Sequence, residues 1–85
     1  MQAKNLKQLK KLHSRNLDNL IYFCKKFEYY CEKRDIISLS RNCNKNKLAF
    51  VYRQIAYFDE KIRYCFENHD KILKQANAIS DCEII

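Results

Sequence analysis

Cys65 and His69 stand four residues apart, so on a helix they share one face, and both carry atoms of the kind zinc prefers. His13 would supply a third ligand if the chain folds back to bring it alongside, but no fourth is in view. The alternative is a core role, with Cys as a small hydrophobe and His as a residue that finds one hydrogen bond. No metal site is assigned. A second constellation is Arg53, Tyr57, Tyr64 and Lys71, which at 100° per residue cluster roughly opposite an apolar stripe. Basic side chains interleaved with tyrosines can neutralise phosphates and stack on exposed bases, or the tyrosines can pack against another protein. The chain holds no convincing Ser/His/Asp order, paired-carboxylate motif or dinucleotide fingerprint, so it reads as a non-enzyme without a cofactor or small-molecule substrate.

The elements that must position these residues are two helices. Leu48, Val51, Ile55, Phe58, Ile62, Cys65, His69, Ile72, Ala76 and Ile79 alternate in steps of three and four, an apolar stripe with one polar member. Leu6, Leu9, His13, Leu17, Leu20, Cys24, Phe27 and Cys31 repeat the rhythm, with Phe23 and Tyr30 widening it. Ser14 could restart that helix as an N-cap. The 85 residues contain no Gly and no Pro, which disfavours tight hairpins and Gly-rich phosphate loops and suits long uninterrupted helices. Ser40 to Asn46 is polar and rich in Asn, which tolerates left-handed backbone, so the chain is expected to reverse there. The expectation is an all-α, antiparallel two-helix hairpin filling residues 1–85 as one domain. Helix one covers about 4–39, a short polar turn lies near 40–47, helix two covers about 47–79, and 80–85 forms a frayed or partner-docked tail. A chain this short buries a thin core, so a partner or ligand is expected to help hold it.

The net charge is +7, and it is segregated. Lys4, Lys7, Lys10, Lys11 and Arg15 open the chain without an acid, and Arg41, Lys45, Lys47 and Arg53 lie in an acid-free stretch between Asp35 and Asp59. Such patches favour a polyanion, nucleic acid or an anionic membrane surface. In a hairpin the two fall at opposite ends, so a ligand touching both must be long. No run is long enough to span a bilayer, and membrane insertion is not expected. The first twenty residues lack the apolar segment of a signal peptide, and five cysteines without a repeating spacing read as reduced, in an organelle interior or the cytoplasm.

Two resemblances attach to these residues. Arg63 and His69 have the spacing of the Arg/His pair in the helical ribonucleases called HEPN domains, although Tyr64 stands where that family carries a polar residue and a hairpin lacks its four helices. The stronger likeness begins at Val51, where V-Y-R-Q-I-A resembles the V-R-R-D-I-A core of large-subunit ribosomal protein family twenty-nine. Lys33 to Leu39 (K-R-D-I-I-S-L) resembles the family's K-x-E-L-F-N-L, and M-Q-A-K-N-L-K resembles its M-K-A-K-E-L-R opening. Tyr52 and Tyr57 replace basic residues, and the loop lacks the family's T-G-Q. The segment between opening and loop is longer by about eleven residues, close to three helical turns, which keeps the apolar face nearly in phase.

The resemblance implies a helical hairpin on large-subunit ribosomal RNA at the rim of the peptide exit tunnel, a structural subunit beside neighbouring ribosomal proteins. Arg53 matches the family's RNA-facing arginine, and Lys4 and Lys7 match its basic opening. From charge alone Lys10, Lys11, Arg41, Lys45 and Lys47 join them, and Tyr57 completes the candidate RNA-binding set. The drift suits an organellar, most simply mitochondrial, ribosome. The competing expectation is a protein-binding hairpin, a small assembly subunit or chaperone that uses the tyrosines and the tail.

Overall fold

The computed structural model describes the backbone of residues 5–84 and side chains as far as residue 79. Helix α1 spans Leu6–Leu39 and helix α2 spans Lys45–Ile84, and they pack antiparallel as a hairpin. Asn5 caps α1 through its side-chain oxygen, which accepts from Gln8 N–H at 2.9 Å. Asn44 caps α2 in the same way, accepting from Asn46 N–H at 3.0 Å and Lys47 N–H at 3.1 Å. That cap starts α2 at Lys45 rather than 47, so the turn shortens to residues 40–44. At the other end α2 continues to Ile84, because residues 80–84 contain no Gly or Pro to stop it; the stretch expected to be a frayed or partner-docked tail is helical backbone as far as Ile84. Ser14 lies inside an unbroken α1 and starts nothing.

The turn is built differently from expectation. No described residue has a positive φ, so its asparagines are not used for left-handed backbone. Ser40 instead leaves α1 in extended conformation (φ −77°, ψ 148°), its N–H and Oγ both donating to the Ile37 carbonyl at 3.3 and 3.1 Å. One such residue and one Asn cap suffice to reverse the chain.

Every member of the α2 stripe from Leu48 to Ile79 is buried or half-buried. The α1 stripe differs at three positions, where Asn16, Phe23 and Tyr30 take the seam places expected of Leu17, Cys24 and Cys31. Asn16 is buried, 8% exposed, while Leu17 is 40% exposed. The seam of α1 is therefore Leu6, Leu9, His13, Asn16, Leu20, Phe23, Phe27, Tyr30, Arg34 and Ile37, an unbroken alternation of three and four, with Cys24 and Cys31 on its shoulder. A polar residue at the seam is tolerated because Asn16 Nδ2 donates to the Cys65 carbonyl at 2.9 Å. Sustained over five heptads, a seven-residue repeat is the pattern of a left-handed coiled pair.

Three contacts set the register. The rings of His13 and His69 lie 5.5 Å apart, Asn16 reaches Cys65, and Phe23 faces Phe58 at 6.2 Å. Phe58 also stacks on Tyr30 at 5.8 Å, which makes it the centre of the core. The rod measures 66 × 16 × 14 Å with a radius of gyration of 18.6 Å, against about 12 Å for a compact domain of this length. Its surface of 7177 Å² exceeds the roughly 5,400 Å² expected of a compact monomer of its mass. Among described residues only Leu9, Val51, Phe58 and Cys65 make up the buried apolar core. No helix is long and apolar enough to cross a membrane, among the described residues.

Candidate nucleic-acid interface

A two-helix seam leaves two flanks, and the register decides which residues share each. A groove lined by Leu12, Arg15 and Asn19 of α1 with Asn68, Lys71 and Gln75 of α2 lies on one side of the seam. Lys10 of α1 and Leu73 of α2 line a groove on the other. Residues seven apart return to nearly the same direction, so the first groove extends along the rod as a face. It carries Leu12, Arg15, Asn19, Tyr22, Lys26, Tyr29, Lys33 and Ile36 from α1, and Lys47, Phe50, Gln54, Tyr57, Lys61, Tyr64, Asn68, Lys71 and Gln75 from α2.

That face has six cations, four tyrosines and, among the described residues, no acid. Asp18, Glu32, Glu60 and Glu67 lie on the backs of the helices, and Glu28, Asp35, Asp59 and Asp70 lie on the opposite flank. The tyrosines follow a motif present once on each helix. On α1 it reads Tyr22, Lys26, Tyr29, Lys33; on α2 it reads Tyr57, Lys61, Tyr64, with Asn68 in the fourth place and Lys71 beyond. Steps of four put lysine over the preceding ring: Lys26 Nζ sits 5.8 Å from the centre of Tyr22, Lys33 Nζ 5.5 Å from Tyr29, and Lys61 Nζ 5.4 Å from Tyr57. Neighbouring aromatics hold the rings edge-on, Phe23 against Tyr22, Tyr30 against Tyr29 and Phe58 against Tyr57. Core packing thus holds Tyr22, Tyr29 and Tyr57 in place, while each of the four tyrosines stays about half exposed.

The residues expected to bind RNA do not form one surface. Lys7, Lys10, Lys11, Arg41, Lys45, Lys47, Arg53 and Tyr57 are all exposed, and Lys4 lies outside the described residues. Lys47 and Tyr57 sit on the acid-free face, whereas Arg53 lies on the exposed back of α2, one and two heptads before Glu60 and Glu67 and in the same helical phase. Lys7 and Lys10 project toward the opposite flank and Lys11 to the back, at the open end of the rod. Arg41 and Lys45 belong to the turn end, some 30 residues or about 45 Å away along α1. The two expected basic ends are therefore joined by a face that carries cations of its own.

The other constellations separate. His13 and His69 meet, but among the described residues no three metal-ligating side chains converge. Arg63 points outward and pairs with Asp59 at 3.3 Å, whereas His69 lies in the seam, so the two do not share a pocket. Burial, and secondarily Cys24, pushes the Cys65 thiol above the ordinary range, consistent with a core role. Arg34, last but one in the α1 seam before the turn, is held charged by a 3.1 Å hydrogen bond to Asp35 and that carboxylate's charge.

The opposite flank is apolar at its middle. Leu17, Ile21, Phe66 and Leu73 are between 40% and 56% exposed there, beside half-buried Cys24. Sequence reasoning found the α2 tyrosines but missed Tyr22, Lys26, Tyr29, Lys33 and Lys61. The signal it lacked was the repeated Tyr-x-x-x-Lys-x-x-Tyr spacing, which gains meaning only when the register puts both copies on one side. No protein family, no characterised protein and no solved structure matches the chain, so its own residues carry the functional reading.

Proposed function

We propose that the hairpin is a structural RNA-binding protein, a divergent constituent of the large ribosomal subunit. It would hold ribosomal RNA near the peptide exit tunnel, in a mitochondrion or another organelle or, alternatively, in the cytoplasm. The observation that carries the RNA reading is the acid-free face, where six cations and four tyrosines line one side of a rod whose acids all lie elsewhere among the described residues. A face of that charge attracts a polyanion by releasing its counterions, and the rod's 66 Å length suits a segment of folded RNA rather than a small ligand. The ribosomal assignment adds the likeness of V-Y-R-Q-I-A, K-R-D-I-I-S-L and the opening to family twenty-nine. The exposed Arg53 supports it, being free to meet a phosphate.

Salt tests the RNA reading and sedimentation tests the ribosomal one. If all six cations engage, affinity for a single strand falls with a slope of about −4 in log salt, several hundredfold between about 50 and 200 mM. Recovery of ribosomal RNA from lysate should follow that dependence, and the tagged chain should sediment with large subunits. Recovery indifferent to salt would sink the RNA reading, and RNA binding without sedimentation in large subunits would sink the ribosomal one. Arg53→Glu should reduce incorporation while leaving helix content unchanged.

A second reading concerns the opposite flank. Exposed Leu17, Ile21, Phe66 and Leu73 favour a protein neighbour there, whether a ribosomal protein or a client in assembly. Leu17→Lys with Phe66→Lys should then leave RNA affinity intact and lower retention in the particle; unchanged retention would discard this contact.

A further inference from the structure

We infer that the acid-free face takes unpaired RNA, with bases stacked on its tyrosines, rather than duplex RNA; this rests on the RNA-binding reading above. A face that merely held duplex phosphates would need cations alone. This one repeats tyrosine and lysine in alternation on both helices, and Tyr22, Tyr29, Tyr57 and Tyr64 are each 49% to 58% exposed. On each helix successive tyrosines stand one heptad apart, about 10.5 Å along the axis. The rings of Tyr22, Tyr29 and Tyr57 are held from one edge by core aromatics, so three of the four ring surfaces offered to a ligand are preorganised.

The lysine over three of these rings makes the unit complete. A base that stacks on the ring displaces the ammonium, which swings to the phosphate joined to that base. Ring and cation then serve adjacent parts of one nucleotide. Duplex RNA cannot use the ring, because its base faces are already stacked and its accessible surface is backbone and 2′-hydroxyl.

A further feature at the open end points the same way. The groove between Arg15 and Lys71 is lined by Asn19, Asn68 and Gln75, and the inward Gln75 oxygen, Oε1, is buried without a hydrogen-bond partner. Amide flips exchange donor for acceptor, but either inward atom calls for a partner. Amides between two cations suit the hydrogen-bonding edge of a base whose phosphates meet the cations, and only an unpaired base exposes that edge.

Fluorescence anisotropy of the full chain with an unstructured oligouridine and with a duplex RNA of equal length tests this. The single strand should bind more tightly. Tyr22→Leu with Tyr57→Leu keeps the apolar bodies and helix propensity, and should weaken the single strand at least tenfold while leaving the duplex within about twofold. Gln75→Leu should weaken the single strand selectively as well. Circular dichroism checks that the variants fold, and Lys26→Gln with Lys61→Gln should lower both affinities. Equal affinity for both RNAs, or single-strand binding indifferent to the tyrosine pair, overturns the stacking inference and leaves the RNA reading in place. If the tyrosine pair leaves RNA binding unchanged but abolishes retention in the ribosomal particle, the tyrosines contact protein and the inference falls. Failure to bind either RNA at low salt overturns both readings.

Discussion

Asn16 should set the register of the hairpin at a cost in stability, and replacing it by leucine separates the two effects. It is the one buried polar residue among those described, 8% exposed, and its amide donates to the Cys65 carbonyl at 2.9 Å. Loss of that hydrogen bond removes about 0.5–1.5 kcal/mol net. A leucine buried in its place contributes about 1.5–3 kcal/mol, and its better helix propensity adds a few tenths. Asn16→Leu should therefore stabilise the hairpin by about 1–2 kcal/mol. With an m-value of about 1 kcal/mol per molar, at the low end because the core is thin, the urea midpoint rises by about 1–2 M. Circular dichroism at the helix band gives that midpoint. The same substitution leaves a seam in which sliding α2 by one turn, about 5.4 Å, strands no buried amide. Distances between spin labels at Lys11 and Lys74, both exposed near the open end, should broaden in the variant and stay narrow in the parent. A lower midpoint would refute the reasoning, since Asn16 would then hold more than one bond. An unbroadened distance would show that aromatic packing around Phe58 sets the register instead.

Phe58→Ala should cost about 3–5 kcal/mol, because the ring is 8% exposed and packs against Phe23 and Tyr30; for so thin a core, thermal melts should show the hairpin largely unfolded near room temperature. Asn44→Ala removes the oxygen that accepts two N–H groups at the start of α2, and chemical denaturation should register a loss of about 1 kcal/mol, most of it restored by Asn44→Asp. Among the four described cysteines, thiol titration should find exposed Cys43 reacting first and buried Cys65 last. The pH dependence follows from the raised folded-state pKa of Cys65: the unfolded chain ionises this thiol first, so stability is full below the ordinary thiol pKa and falls as pH rises past it. Cys65→Ala should flatten that alkaline slope in urea titrations; an unchanged slope would assign it to other groups.

The two helices and their antiparallel order were legible because apolar spacing reports burial directly. Each residue from Leu48 to Ile79 in the three-four rhythm lies in the seam. Asn16 escaped for the same reason: a rule that follows hydrophobicity prefers Leu17, and only a partner carbonyl across the seam makes an amide the better occupant. The displaced choice then propagated, since Cys24 and Cys31 keep step with Leu17 while Phe23 and Tyr30 keep step with Asn16. Helix limits were misplaced where capping decides them. Asn44 looked like loop material, yet its side chain is what lets α2 begin at Lys45.

The interface was illegible for a different reason, which is that a face made by two helices has no representation in either one alone. Tyr57, Tyr64 and Lys71 could be grouped by angle on α2, and that angle placed them on the back of a single helix. Once α1 lies alongside in register, they become one edge of a face whose other edge is Tyr22, Tyr29 and Lys33. The absence of acids makes the same point more strongly. Glu60 and Glu67 stand within three residues of Tyr57 and Tyr64, so along the chain the α2 tyrosines appear surrounded by mixed charge. Their helical phase turns those carboxylates to the back, and Asp18 and Glu32 of α1 turn away likewise. The field that a polyanion would meet is thus a property of the pairing. A substitution that slips the register should weaken RNA binding while leaving every tyrosine and cation of the face in place, which ties Asn16, in the seam at the floor of the groove between Arg15 and Lys71, to the tyrosines on the surface.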